Sequence, residues 1–267
     1  MKIIRLIHNL PRSGGTIISK CISAQKDVVL LSEIHPDGNE MLKKILANKN
    51  VSRDPISQSV KWYNLFTSSE IEEFKNKKLN FEDKIEIILK KCEINNKKLV
   101  IRDWSYLDYL SLPYKEPSFE NKLYNVLSKK YQIYNFSVIR HPIETYLSMI
   151  NRVRLIRENY QSINIFLPVY IKYCKFIKKF NYYKFEDFCL SVDQTVKKMC
   201  SSLKLEFNHE YKKKLKDIKI TGDPGPVNSI GISKIRERRF TSFSNVELEN
   251  IMRNHEFKQI SNLLNYH

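Results

Sequence analysis

Near its start the chain reads Asn9-Leu10-Pro11-Arg12-Ser13-Gly14-Gly15-Thr16, between an apolar run and an apolar helical stretch. A turn of this kind can wrap successive backbone N–H groups around an anionic oxygen, and the helix N-terminus beyond it adds a favourable dipole. Gly14 and Gly15 allow close backbone approach. Arg12, inside the turn, can follow charge onto a bridging oxygen as a phosphate leaves. The turn is not a Walker A loop, because Gly15 stands where that pattern needs Lys. A second set is Arg140, Ser148 and Arg152. Ser148 and Arg152 are four apart on a predicted helix, hence on one face. An arginine, a hydroxyl and a second arginine suit a further phosphate group. Taken singly, each set also reads plainly, as an ordinary strand–helix turn and as a solvated helix surface.

Five short apolar runs, at 3–8, 28–31, 99–101, 135–139 and 182–185, read as strands, and helical patterns fall between or after them at 16–23, from Pro142, at 163–179, 192–203 and 246–264. Pro142 suits the first helical position. A long polar, helical region covers 39–91, and 218–239 reads as a loop rich in Gly, Pro and Arg. Alternating strands and helices predict an α/β fold with a central parallel sheet flanked by helices. In such sheets ligands bind beyond the carboxyl ends of the strands. Four of the five strand ends carry chemistry: the turn at 11–16, Glu33, Arg102-Asp103 and Arg140. No repeat or long linker divides the chain, so 1–267 is expected to be one domain.

Hydrophobic residues make up 42% of the 267 and charged residues 28%, which sets disorder aside. Lys and Arg number 46 against 29 Asp and Glu, a net charge of +17. That excess points to an anionic partner: nucleic acid, a lipid surface, or a phosphorylated or sulfated molecule. A solvated lysine-rich face is the plain alternative. Cys21, Cys92, Cys174, Cys189 and Cys200 show no metal spacing and read as reduced packing residues of a cytoplasmic chain. The first residues lack a signal-peptide pattern, and no run approaches the roughly 18–20 apolar residues of a membrane span.

Pro11–Thr16 resembles the 5′-phosphosulfate loop of sulfotransferases that use 3′-phosphoadenosine-5′-phosphosulfate (PAPS). The stretch Arg140-His141-Pro142-Ile143-Glu144-Thr145-Tyr146-Leu147-Ser148 is similar to their 3′-phosphate motif, with the same Arg-to-Ser interval of eight. Ser148-Met149-Ile150-Asn151-Arg152 is most similar to the tyrosylprotein sulfotransferase branch and bacterial relatives. The resemblance implies a single P-loop-type domain that moves a sulfuryl group in line from PAPS to a hydroxyl or amine, with no metal. It implies that Arg12, Ser13, Gly14, Gly15 and Thr16 hold the 5′-phosphosulfate and that Arg140, Ser148 and Arg152 hold the 3′-phosphate. Glu33 falls at the position of a glutamate base, with His35 as the rival, and Arg102 at that of a basic residue touching the transferring group. Val227-Asn228 and 231–234 look like a late loop closing over the nucleotide, with Ser233 as the contact.

Two positions depart from the pattern. Gly15 replaces a more usual Thr, and Phe185 stands where relatives often have Tyr. The acceptor is open among a carbohydrate, a phenol and a lipid headgroup. Trp62, Tyr63, Phe66, Tyr160, Tyr170 and Tyr173 are its aromatic candidates, and Arg154 and Arg157 hint at an anion. The basic run at 234–239 reads as a lid, as an acceptor-side contact or as a solvated loop. A small-molecule P-loop kinase and a non-catalytic basic module are the alternatives. The kinase lacks its loop Lys. Nucleic-acid binding would need aromatic and basic residues interleaved on one face, and the run at 234–239 is diluted by Glu237.

Overall fold

The computed structural model describes residues 2–38, 40, 53–222 and 243–266. Five parallel strands, β1 (Ile3–Asn9), β2 (Val28–Ile34), β3 (Lys98–Asp103), β4 (Gln132–Ile139) and β5 (Tyr182–Lys184), form one sheet in the order β2-β3-β1-β4-β5. All five runs of the sequence reading are strands, most of them longer than the apolar stretch alone. Both faces are covered, so apolar side chains alternate into two layers. Ile7, Leu30, Val100, Phe136 and Val138 pack under the helices Gly15–Ser23 and Val192–Ser202. Ile4, Leu6, Val29, Leu31 and Ile101 pack on the other face under Phe81–Ile94. Each fully buried branched side chain contributes about 1.5–3 kcal/mol.

The long polar, helical region read over 39–91 resolves, among the described residues, into Pro55–Tyr63, Ser68–Asn76 and Phe81–Ile94. Caps separate them. Asp54 accepts from the Ser57 N–H, and Thr67/Glu70 and Asn80/Asp83 form capping boxes. The closing helix is likewise two, Asn245–Arg253 and His255–Leu264, broken where Asn254 caps the second. Residues 39 and 41–52 of the long polar region, Ser233 and the runs at 227–228, 231–234 and 234–239 lie outside the described residues.

β1 and β4 are direct neighbours, paired from Ile3↔Gln132 to Asn9↔Val138. The helices that follow them diverge. Gly15–Ser23 packs on one face of the sheet, while Pro142–Ile150 joins the opposite side with Ile163–Ile177 and His255–Leu264. Connections that leave adjacent parallel strands in opposite directions open a crevice at their carboxyl ends. The turn at 10–14 and Arg140 border that crevice.

Candidate functional site

The turn after β1 is held by its own residues. Ser13 Oγ donates to the Leu10 carbonyl at 2.6 Å, and Arg12 and Gly14 adopt left-handed φ values of 66° and 91°. Gly14 is required on two counts, since its φ disfavours a side chain and an added Cβ would overlap the Phe185 ring. Phe185, the departure noted above, therefore packs the turn rather than offering a hydroxyl. The helix Gly15–Ser23 opens with no side-chain cap and no acid in its first turn, which leaves its first N–H groups and its dipole directed at the crevice.

Arg140 follows β4, its carbonyl fixed by Tyr170 Oη at 2.6 Å and Thr145 Oγ1 at 3.2 Å. Its guanidinium donates to the Arg12 carbonyl at 3.2 Å, and Arg12 Nε donates to Ser148 Oγ at 3.1 Å. The two motifs are thus one cluster. Burial, and then the charges of the nearby Arg152 and Arg140, lower the Arg12 pKa. Clustered cations of this kind suit a polyanion. One expectation changes here. The helix ends at Ile150 and Arg152 sits in the turn beyond, its N–H bonded to the Met149 carbonyl, so Ser148 and Arg152 do not share a helical face. Glu144, one turn along from Arg140, accepts from it at 2.9 Å.

On the other side of β1, Glu33 lies inside β2 rather than beyond it. The β2–β3 register shifts between Leu31 and Ile34, and Glu33 takes φ 55°. A bulge re-aims a side chain that simple alternation would send elsewhere. Burial alone would raise the Glu33 pKa. The charges of Arg102 and Arg53, with a hydrogen bond from Arg53, outweigh it and hold the carboxyl below its usual range. Arg53 grips Oε2 with Nε at 2.9 Å and Nη2 at 2.5 Å, and Arg102 Nη2 lies 3.5 Å from Oε1. Arg102 is buried and donates to Ser32 Oγ (2.7 and 3.1 Å), Thr16 Oγ1 (3.2 Å) and the Thr221 carbonyl (2.9 Å). This network joins the phosphate-type turn, through Thr16, to the carboxylate.

Asp103 does not face the crevice as a free carboxylate. It accepts from Asn121 Nδ2 at 2.6 Å and the Asn9 N–H at 3.4 Å, and pairs with His8 Nδ1 at 2.7 Å. Its work is to tie the tips of β1 and β3. His35, the rival base, is buried with both ring nitrogens committed. Nδ1 accepts from the Asp37 N–H at 3.0 Å, so Nε2 carries the proton and donates to Asp108 at 3.0 Å. It has no nitrogen left to take a proton from an acceptor. His141 caps the helix Pro142–Ile150 at its backbone, its N–H donating to Glu186 at 2.8 Å.

A cleft of about 290 Å³ opens beside Glu33, Arg53 and Arg102, walled by Trp104, Tyr106 and Leu155. The Arg53 guanidinium lies over the Trp104 ring at 3.9 Å. None of the six aromatic candidates named from the sequence lines this cleft. Phe66, Tyr160, Tyr170 and Tyr173 are core, and Tyr63 Oη bonds the backbone of Leu30. Arg53 carried no sequence signal. Trp104 follows the Arg102-Asp103 strand end, the one clue available. Among the described residues no group of His, Cys, Asp and Glu could hold a metal, and no helix is long and apolar enough to cross a membrane.

No protein-family model and no curated protein matches the sequence. Solved structures do match the fold. A sulfotransferase domain from the curacin biosynthetic pathway superposes over 100% of this chain and 99% of its own, with a TM-score of 0.64 at 16% identity. The sulfotransferase domain of the Synechococcus PCC 7002 olefin synthase covers 100% of this chain and 95% of its own, with a TM-score of 0.63 at 12% identity. The chain has the sulfotransferase fold, as the motif resemblance implied.

Proposed function

We propose that the chain transfers a sulfuryl group from PAPS to the hydroxyl or amine of a small acceptor. One observation carries the reading: on a sulfotransferase fold, the Arg140 guanidinium reaches the Arg12 carbonyl, so two anion-receiving sets stand at adjacent strand tips. The donor set fits the nucleotide. The uncapped helix start and the turn at 12–16 suit the 5′-phosphosulfate, and Arg140, Ser148 and Arg152 suit the 3′-phosphate. Bound PAPS supplies the activated sulfuryl group. Glu33, ionised at neutral pH, takes the proton of the acceptor. Arg102 and Arg12 stabilise negative charge developing at the transferring and leaving oxygens. The kinase reading is weaker, because Gly15 occupies the place of the loop Lys.

The test is thermal. Adenosine 3′,5′-bisphosphate at a hundred times its Kd stabilises by about 2.7 kcal/mol, which raises Tm by roughly 5–10 °C. ADP and ATP should give far less at the same concentration. Equal stabilisation by ATP refutes the assignment.

A further inference from the structure

The cleft beside Glu33 contains a donor that the sulfuryl-transfer reading leaves unused. Arg53 gives Nε and Nη2 to Glu33, while its Nη1 is buried and has no hydrogen-bond partner among the described residues. A buried guanidinium N–H without an acceptor costs free energy, and the fork can serve two oxygens on different edges at once. The Arg53 guanidinium carbon lies 3.9 Å from the centre of the Trp104 ring, a cation–π contact that helps hold the fork in the cleft. The nearby donors of Arg102 are already taken by Ser32, Thr16 and Thr221. Among the described residues that line the cleft, Arg53 Nη1 and the Tyr106 hydroxyl are the buried donors without an acceptor, and of the two only Arg53 is cationic.

We propose that Arg53 selects the acceptor, donating from Nη1 to a carboxylate carried close to the hydroxyl that Glu33 deprotonates; the assignment rests on the sulfuryl-transfer reading. The favoured acceptor class is a hydroxy acid with a flat or short apolar body, because Trp104, Tyr106 and Leu155 wall the same cleft. A carboxylate suits the site better than a neutral oxygen, since a hydrogen bond from the charged Arg53 fork to an ionised oxygen is stronger than one to a neutral oxygen. The Asp103 carboxylate, also at the cleft, is occupied by His8, Asn9 and Asn121.

The experiment is a calorimetric titration of the full chain saturated with adenosine 3′,5′-bisphosphate, which keeps anions out of the nucleotide sites. The probes are 3-hydroxybenzoate and its methyl ester, matched in shape but not in charge. The acid should bind at least about tenfold more tightly than the ester. Arg53→Gln should bring the two within about twofold, and Arg53→Lys, which keeps the charge without the fork, should fall between. Equal binding of acid and ester by the native chain overturns the proposal, as does an unchanged preference in Arg53→Gln. The native-chain comparison decides alone if the variants do not fold. If the bisphosphate fails to bind, the nucleotide assignment falls, and the pair is then titrated without it on the native chain and on Arg53→Gln, where only the part of the acid preference that the substitution removes belongs to Arg53.

Discussion

Removing the Arg140 guanidinium separates the two ends of the proposed nucleotide. The Arg140 guanidinium donates to the Arg12 carbonyl at 3.2 Å and to Glu144 at 2.9 Å, and lies over the Phe185 ring at 5.5 Å. A charge-assisted hydrogen bond to a phosphate contributes about 1.5–3 kcal/mol, and the exposed bond to Arg12 about 0.5–1 kcal/mol. In Arg140→Ala, adenosine 3′,5′-bisphosphate loses both contributions. Adenosine 5′-phosphate loses only the steadiness of the turn, part of it returned because Arg12 no longer stands beside a like charge. The 5′-phosphate ligand should weaken by about 2–5-fold. The preference for the bisphosphate over it should drop by about 10–150-fold. Calorimetry with both ligands at one fixed ionic strength measures that preference, and constant salt is needed because exposed cations are screened. If the two ligands weaken alike, Arg140 serves the turn and not a 3′-phosphate, and the pairing of the two motifs around one nucleotide is wrong.

Glu33→Gln should retain bisphosphate binding and lose transfer by at least about a hundredfold, measured with any labelled acceptor; retained turnover would place the base elsewhere. The same variant reports on pH. The Glu33 pKa is depressed in the folded chain, so its stabilisation is complete above the unfolded value of about 4.3 and is lost as pH falls through the lower folded value. Acid denaturation of Glu33→Gln, followed by circular dichroism below that pH, should lack this component. Gly14→Ala combines a left-handed φ with overlap on Phe185 and should cost at least about 1–3 kcal/mol in denaturant titrations; an unchanged midpoint would contradict the packing. Asp103→Ala leaves His8 and Asn121 without their buried acceptor and should cost about 2–5 kcal/mol, at about 1–3 kcal/mol per stranded donor, with a surface-like loss below about 1 kcal/mol as the refuting result.

Much of the sheet was legible because a parallel strand buried on both faces reads as an apolar run, and the ends of such runs are where ligands bind. Arg12, Glu33, Arg102 and Arg140 all lay at those ends. What was not legible depended on chain paths that no local pattern fixes. Arg53 reaches Glu33 across a separation of 20 residues. The bulge at Leu31–Ile34, which sets where the Glu33 carboxylate points, is a pairing irregularity with β3 rather than a property of Ser32-Glu33. The aromatic candidates failed for a related reason. Tyr170 and Tyr173 sit at helical spacing within Ile163–Ile177, and with Tyr160 they fill the core beside Pro142–Ile150, whereas Trp104 walls the cleft from a loop position that carries no periodicity. Ser148 and Arg152 were joined by an i, i+4 rule that holds only while the helix lasts, and it stops at Ile150.

Arg12 and Glu33 share a feature that links the backbone to the chemistry. Both are non-glycine residues held in left-handed φ, a conformation that costs an L-residue about 1–2 kcal/mol. At Arg12 this cost can be measured apart from function. Arg12→Ala and Arg12→Gly both remove the guanidinium, its bond to Ser148 and its repulsion with Arg140 and Arg152. They differ in the backbone alone. Glycine relieves the left-handed penalty but adds freedom to the unfolded chain, a debit of about 0.4–1 kcal/mol. Arg12→Gly should therefore be the more stable of the two by about 0.5–1 kcal/mol, or roughly 1–4 °C in Tm, while both bind the bisphosphate equally poorly. An Arg12→Ala variant as stable as Arg12→Gly would mean that the turn relaxes once the side chain is gone. The left-handed backbone would then be imposed by the guanidinium contacts, and not by Ser13, Gly14 and the Leu10 carbonyl.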